Sequence, residues 1–223
     1  MKTRIFLTVC TVLLFVQCKT WKQSEKGAAI GGAAGAGVGA VIGNQSGNTV
    51  VGAIIGAAVG GTAGALIGNY MDKQEAEMER DLEGARVERI GEGIKITFDS
   101  GLLFDIDSYT LSEDAKTNLK KMADIVNKYD DTDILIEGHT DNTGSDSHNK
   151  TLSDRRADEV SNFLRSHNVL GSRMTSVGYG EAQPLSDNST EAGRTQNRRV
   201  DVAVMANKKL KKAAENGKLG TVE

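Results

Sequence analysis

The sequence predicts an α+β fold: a mixed β-sheet packed by two main helices and preceded by a glycine-rich helical hairpin. Two observations predict it. Between residues 87 and 206, short apolar stretches bounded by turn residues alternate with two longer segments whose apolar residues recur at helical spacing. Upstream, glycine recurs at every fourth residue in two copies of one pattern, 27–44 and 52–69. The expected order of the folded part is βαβαββ, after one extra N-terminal strand.

The N-terminus is typical of an export signal. Lys2 and Arg4 precede the apolar run IFLTVCTVLLFV, residues 5–16. This run is too short to cross a hydrocarbon core of ~30 Å, but it has the length of the apolar region of a signal peptide.

The apolar run ends at FVQC, which resembles the end of a bacterial lipoprotein signal peptide. Phe15 and Gln17 depart from that pattern, because Leu and a small residue are commoner there. We expect a signal peptide over 1–17, a lipidated Cys18 and a tether over 18–26. The alternative is a leader that stays uncleaved or is cleaved in the ordinary way.

Spacing of four keeps the repeated glycines near one helix face, so that two helix backbones can approach closely. The polar stretch NQSGNTV separates the two copies, and no charged residue occurs from Gly27 to Met71. We therefore expect an antiparallel, membrane-associated hairpin over 27–68, which resembles the glycine-zipper hairpins of bacterial envelope proteins. A flexible linker is the alternative. The repeated glycines are at 27, 31, 35, 39 and 43 in the first copy, and at 52, 56, 60, 64 and 68 in the second.

The segment NYMDKQEAEMERDLEGARVER changes character abruptly, because it is charged and rich in helix formers. We expect a solvated helical spacer over 69–86, which would hold the next domain ~20 Å from the bilayer. At the other end of the chain, residues 207–223 are expected to form a polar tail.

Patterns within 87–206 predict the elements of the domain. RVERI and GIKITF alternate across GEG and indicate a strand pair, and DILIEGH, MTSVGYG and RVDVAVM indicate three more strands. Ser112 is a candidate cap for a helix that runs to about Tyr129. The second helix is predicted from its apolar face, which is formed by Leu152, Ala157, Val160, Phe163 and Leu164.

The most polar stretch, EGHTDNTGSDSHNKTLSDRRA, is compatible with three kinds of site: a metal site, an acid/base site or a polar pocket for a charged ligand. His139, Asp141 and His148 are nominal metal ligands. However, the stretch contains no H-x-x-x-H pair, cysteine cluster or calcium loop, so we expect no metal and no cofactor. The sequence contains no nucleophile elbow, phosphate-binding loop or pair of acid glutamates. We therefore do not expect an enzyme. The formal net charge of −3 argues against nucleic acid as a partner.

GHTDNTGSDSHNKTLSDRRADEVSNFL, followed by GYGEAQP and NRRVDV, resembles the OmpA-like peptidoglycan-binding domain. This module also occurs in peptidoglycan-associated lipoproteins and flagellar stator subunits. The resemblance covers roughly 93–206. Its ordered motif is complete here, with Thr140, Asp141, Gly144, Asn149, Leu152, Ser153, Arg156 and Ala157 all present.

The resemblance implies noncovalent binding of the diaminopimelate residue of the peptidoglycan stem peptide. It implies that Asp141 pairs with the ligand's ammonium and Arg156 with its carboxylate. A zwitterionic ligand needs one anion and one guanidinium at a fixed separation, which agrees with this assignment. Thr140, Gly144 and Asn149 are further candidate ligand residues. Arg199 is a weaker candidate for the rim of the pocket, and the alternative is that it pairs with a structural carboxylate.

We therefore expect a non-catalytic lipoprotein of the bacterial outer membrane that faces the periplasm and ties the membrane to peptidoglycan. Its expected partners are peptidoglycan and outer-membrane lipid, with self-association through the glycine hairpin as a further possibility. The alternative is a membrane-active glycine-zipper protein that forms an oligomer or pore, with the OmpA-like domain as its wall anchor. The hairpin carries no carboxylate for ion coupling, which argues against ion translocation.

Overall fold

A five-stranded mixed sheet forms the centre of the protein in the computed structural model, which describes residues 49–105 and 107–219. Its spatial order is β1-β2-β5-β3-β4; β3 and β4 are parallel and the other neighbours are antiparallel. The predicted sheet, with its extra N-terminal strand, is therefore confirmed. The strands are β1 (Arg86–Ile90), β2 (Gly93–Asp99), β3 (Thr132–Gly138), β4 (Met174–Gly178) and β5 (Arg199–Ala206).

Helices lie on both faces of this sheet. The two helices predicted within the domain are present, and each is capped by a serine: Ser112 accepts a hydrogen bond from Ala115 N and Ser145 accepts one from His148 N. The second of these helices begins at Asp146, well before the apolar face that starts at Leu152. The helices are α1 (Thr49–Ala57), α2 (Gly61–Asp81), α3 (Ser100–Leu103), α4 (Glu113–Lys128), α5 (Asp146–Ser166), α6 (Glu191–Asn197) and α7 (Lys208–Glu215), with a 3₁₀ turn at Gly171–Arg173.

The main core lies between one face of the sheet and helices α2, α4, α5 and α7. Because strand side chains alternate between the two faces, every second residue of β2, β3 and β5 points into this core. The apolar residues among them are Ile94, Ile96, Phe98, Ile134, Ile136, Val200, Val202, Val204 and Ala206.

The other face of the sheet is covered by α1, which belongs to the second glycine copy. Val50, Ala53 and Ile54 of α1 pack against Leu135, Ala203 and Met205. Gly93 allows the close approach, because a Cβ atom there would lie 2.6 Å from Ile54 and 2.9 Å from the carbonyl oxygen of Val204. This part of the glycine repeat is therefore an integral layer of the folded domain.

The structure differs from the expected hairpin over 27–68 in its second arm. The helix breaks after Ala57, and Gly60 and Gly61 both adopt positive φ, which glycine accepts without steric cost. The break occurs where α1 reaches the end of the sheet and the chain must cross to the opposite face as α2. Between residues 49 and 219, leaving out residue 106, no helix has the length and apolarity needed to span a membrane. The first copy lies outside the described residues, as does Cys18.

The segment expected to be a solvated spacer, 69–86, is also different in the structure. Most of it continues α2, and Met71, Met78 and Leu82 are buried in the main core. Tyr70 packs edge-to-face on Tyr129, with ring centroids 5.2 Å apart. The charged residues occupy only the outer face of α2, and the apolar spacing on its inner face decides where the helix lies.

The expected polar tail, 207–223, forms a packed helix over most of its described part. Asn207 caps α7 by accepting a hydrogen bond from Leu210 N at 2.9 Å. Leu210 and Ala214 are buried against the main core. The lysines around them make the segment polar in composition, but the two buried residues of α7 are one helical turn apart and share one face.

Candidate functional site

The site forms where α5 crosses the carboxyl ends of β3 and β4. Gly138 and Gly178 end these two strands, and a Cβ atom at either position would lie 2.2 Å from the backbone of Ser153 or Asp154. Only glycine therefore permits this approach. Gly180 N donates to Ser153 Oγ at 2.8 Å and fixes the loop after β4 to α5. As a result, the side chain of Arg156 lies beside the loop that follows β3.

A cavity of about 600 Å³ opens at this point between α3, α5, α6 and the loop after β3. Five of the six predicted ligand residues line it: Thr140, Asp141, Gly144, Asn149 and Arg156. The structure therefore brings the motif residues to one place, although they span 17 positions of the chain from 140 to 156.

Asp141 is held as a carboxylate. Its Oδ1 accepts a hydrogen bond from Thr143 N at 2.8 Å, and its Oδ2 lies 2.6 Å from Arg198 Nη1. Burial favours the neutral acid, but the hydrogen bonds from Arg198 and Thr143 outweigh it and hold the pKa of Asp141 below its usual value. Two oxygens offer about four lone pairs, so the carboxylate keeps capacity for a further donor.

Arg156 is the buried cation of the cavity and is 4% exposed, whereas the second cation that lines it, Arg198, is paired with Asp141. Its Nε donates to the carbonyl oxygen of Ser108 at 2.9 Å, and its guanidinium carbon lies 5.2 Å from the centre of the Phe104 ring. Burial lowers the pKa of Arg156, and Asp107 opposes that effect; the group stays a cation because a guanidinium is not deprotonated in proteins. Within 49–105 and 107–219, no carboxylate forms a salt bridge with it.

The remaining predicted ligand residues add polar groups to the same cavity. Thr140 is 5% exposed, and its hydroxyl has no hydrogen-bond partner among the described residues. Asn149 Nδ2 donates to the carbonyl oxygen of Asp141 at 3.2 Å and to Glu181 at 2.6 Å. Gly144 has a φ of +98°, which shapes the loop between Asp141 and α5.

Arg199, the sixth predicted residue, lies away from the cavity. It is 1% exposed, and its Nε pairs with Asp201 at 2.9 Å, which is the structural alternative considered for it. The arginine on the rim is its neighbour Arg198, which bridges Asp141 and Glu191. Pattern reasoning missed Arg198 because β5 begins at Arg199, and neighbouring residues at a strand end point to opposite sides.

The two histidines of the polar stretch are separated. His139 is buried on the face of the sheet opposite the main core, and it does not line the cavity. Its ring stacks on Tyr179, with ring centroids 5.6 Å apart. His148 lies at the cavity mouth in the first turn of α5, where its Nε2 is 3.0 Å from Asp107. Asp105 and Asp107, in the loop after α3, both line the cavity.

The chain is similar to known proteins in two regions. The OmpA family model matches residues 103–198, and the YMGG-like Gly-zipper model matches residues 1–72. Outer membrane porin F of Pseudomonas fluorescens is 45% identical over 46% of this chain, although the chain spans only 32% of that porin. Outer-membrane lipoprotein YfiB of Pseudomonas aeruginosa is 36% identical over 52% of this chain and 68% of its own length. The solved cell wall anchor of the T6SS from Pseudomonas aeruginosa is 26% identical, with a TM-score of 0.54 over 61% of this chain and 97% of that structure.

Proposed function

Since this chain belongs to the OmpA family, we propose that it is a non-catalytic envelope lipoprotein that ties the outer membrane to the cell wall by binding peptidoglycan. The cavity between α3, α5 and α6 is the proposed binding site. The ligand group we assign to it is the diaminopimelate residue of the stem peptide, whose side chain ends in an ammonium and a carboxylate on one carbon.

One observation carries this proposal: an ionised Asp141 lines the same cavity as a buried Arg156 that forms no salt bridge within the described residues. A buried guanidinium without a carboxylate is costly, so the site favours a ligand that supplies one. Asp141 already accepts from Arg198 and Thr143, and a ligand ammonium completes its shell of donors. A ligand with both charges at one end satisfies the two residues together.

The neutral groups of the cavity support the same ligand. The buried hydroxyl of Thr140 lacks a partner within the described part of the chain, and a polar ligand satisfies it. The face of the Phe104 ring packs against the guanidinium of Arg156 and helps to fix its position. These contacts orient a ligand, and they involve no transfer of atoms.

The charge states of the cavity also favour binding over catalysis. A general acid or base needs a pKa near the working pH. Asp141 is held ionised by its donors, and Arg156 stays protonated despite burial, so neither group exchanges protons at neutral pH.

At the membrane end, the proposal assigns lipid attachment to Cys18 and places the cavity in the periplasm, where the wall is. Cys18 and the first glycine copy lie outside the described residues, and self-association through that copy is part of the same proposal. Weak binding at each site is sufficient, because many anchored copies facing one polymer act through high effective concentration.

Sedimentation with purified diaminopimelate-type sacculi tests the proposed function. Wild-type protein is expected in the pellet, and Asp141→Ala and Arg156→Ala in the supernatant, all with the same circular dichroism spectrum. Arg155→Ala is the matched control, because Arg155 is the exposed neighbour that stacks on Tyr109 and does not line the cavity. Pelleting of both cavity variants at the wild-type level would refute the site, and release of muropeptides from sacculi would refute the non-catalytic role.

A further inference from the structure

A layer of buried polar residues lies beneath α1, on the face of the sheet opposite the main core. Glu137 and His139 come from β3 and the residues after it, and Arg199 and Asp201 come from the start of β5. Each of these four residues is at most 1% exposed. His139 Nε2 lies 3.7 Å from Glu137 and 3.8 Å from Asp201, and Arg199 pairs with Asp201. None of the four lines the cavity.

Thr49, the first residue of α1, makes the contact between this helix and the polar layer. Its hydroxyl oxygen lies 2.8 Å from both carboxylate oxygens of Glu137, and its N–H donates to Gln183 Oε1 at 3.5 Å. The backbone oxygen of Gln183 in turn accepts from Arg199 Nη2 at 3.2 Å. Thr49 therefore joins both strand segments that build the layer.

The same two strand segments build the cavity on their other side. Asp141 follows Glu137 by four residues, and Arg198, which holds Asp141, directly precedes Arg199. A hydrogen bond of 2.9 Å from His139 N to the carbonyl oxygen of Arg199 ties the segments together between these points. A shift of Glu137 or Arg199 therefore moves the backbone that aims Asp141 and Arg198 at the ligand.

The far end of α1 is also fixed. Glu92, in the turn between β1 and β2, accepts hydrogen bonds from Val59 N and Gly60 N, both at 2.7 Å. Between the two ends, Val50, Ala53 and Ile54 pack on the sheet. The helix thus crosses the sheet as a strap, attached by Thr49 near the cavity end and by the residues after Ala57 at the other.

We propose that Thr49 is a positioning residue for the peptidoglycan cavity. Docking of α1 through the Thr49 hydroxyl raises the affinity of the cavity for the diaminopimelate group. The inference rests on the function proposed above and adds a regulation of that site. Because Thr49 directly follows the stretch that leads back to Cys18, the way the N-terminal region is held influences ligand binding at the cavity. The second glycine copy then acts as part of the wall-binding apparatus.

The test compares Thr49→Val with Thr49→Ser in the full chain. Valine keeps the shape of threonine but removes the donor to Glu137, whereas serine keeps the hydroxyl. Calorimetric titration with a soluble stem peptide that carries diaminopimelate is expected to give at least about fivefold weaker binding for Thr49→Val, a typical size for coupling between sites. Thr49→Ser is expected to bind like the wild type. Hydrogen exchange of the amides of 138–141 is expected to speed up only in Thr49→Val.

Leu210→Ala separates positioning from general stability, because Leu210 is buried in the core on the other face of the sheet. This variant is expected to unfold at a lower denaturant concentration and to keep wild-type affinity. Wild-type affinity and wild-type exchange in Thr49→Val would overturn the inference, as would equal weakening in Thr49→Ser. If the wild type itself does not bind the stem peptide, the proposed function fails, and the exchange of 138–141 alone decides whether Thr49 positions the loop.

Discussion

Arg156 and Asp141 carry opposite charges on one cavity, but their surroundings differ. Asp141 already has two donors, from Thr143 and Arg198, and a further donor adds to a group that is already partly satisfied. Arg156 has one hydrogen bond to a backbone oxygen and the face of an aromatic ring. We therefore expect the carboxylate of the ligand, bound by Arg156, to contribute more to affinity than its ammonium.

Arg156→Lys tests this at the level of one side chain. Lysine keeps the charge but loses the planar fork and the hydrogen bond from Nε to Ser108. Because a hydrogen bond to a charged group contributes about 1.5–3 kcal/mol, we expect affinity for the stem peptide to fall roughly tenfold or more. Calorimetric titration measures it, and wild-type affinity in the lysine variant would mean that the fork does not hold the carboxylate.

The lowered pKa of Asp141 predicts how ligand binding depends on pH. Burial opposes ionisation, but Arg198 and Thr143 outweigh it, so the carboxylate forms at a lower pH than in an unfolded chain, where its pKa is about 3.9. A depressed folded pKa gives stability that is present above the unfolded value and is lost as pH falls through the folded one. Affinity is therefore expected to stay constant from pH 7 to about 5 and to fall only below about 4.

Arg198→Gln supplies the contrast for this pH profile. The change removes the charged donor to Asp141, so that the pKa of the carboxyl rises and affinity declines at a higher pH than in the wild type. Fluorescence or calorimetric titration over pH 3.5–7 is the measurement. Coincident profiles for the two proteins would show that Arg198 does not set the charge of Asp141.

Among the elements, α2 differs most from what its sequence predicts. Its sequence is charged enough to indicate a solvated spacer, yet Ile67, Met71 and Met78 are fully buried. Glu77 lies on its edge and accepts a hydrogen bond from Tyr129 at 2.8 Å, with Lys128 beside it. The helix therefore closes the main core and belongs to the same folded unit as the cavity.

Met71→Ala should reveal the role of α2. Removal of a fully buried methionine side chain leaves a cavity, and we expect the free energy of unfolding to fall by about 2–5 kcal/mol. Glu79→Ala, on the exposed face of the same helix, is the control, with an expected change within about 0.5 kcal/mol. Urea denaturation measures both. Equal small effects would restore the interpretation of α2 as a spacer.

The sequence predicts elements well where their side chains alternate or recur with a clear period. The five strands and helices α4 and α5 follow from such patterns, and the motif residues from Thr140 to Arg156 do converge on one cavity. The positions of α1, α2 and α7 cannot be predicted from such patterns, because the spacing of apolar residues does not indicate which surface an amphipathic segment covers. Arg198 was missed for a related reason: only the start of β5 decides which of two adjacent arginines faces the cavity.

The whole molecule has the cavity at one end of the sheet and the turn held by Glu92 at the other. Strand pairing gives this arrangement, because Asp99 pairs with Arg199 near the cavity while Gly93 pairs with Met205 far from it. Helices from outside 87–206 cover both faces between these ends. The folded unit that contains the cavity is therefore larger than the part of the chain that carries the family motif.

A comparison of the fragments 49–219 and 87–206 tests this larger unit. The shorter fragment loses Ile67, Met71, Met78 and Leu210 from the core, each contributing roughly 1.5–3 kcal/mol of burial. Such a loss matches much of the 5–15 kcal/mol that stabilises an ordinary domain, so we expect 87–206 to lack a cooperative thermal transition. A shared unfolding midpoint for the two fragments would place the boundaries at 87 and 206 after all.

The central claim is that the cavity binds both charges of one zwitterionic group. It is tested most directly by calorimetric titration of the full chain with two stem peptides, one carrying diaminopimelate and one carrying lysine at the same position. Lysine keeps the side-chain ammonium and lacks the carboxylate. We predict measurable binding of the first peptide, binding of the second that is weaker by at least about tenfold, and no such difference in Arg156→Ala. Equal affinity of the wild type for the two peptides would contradict the account.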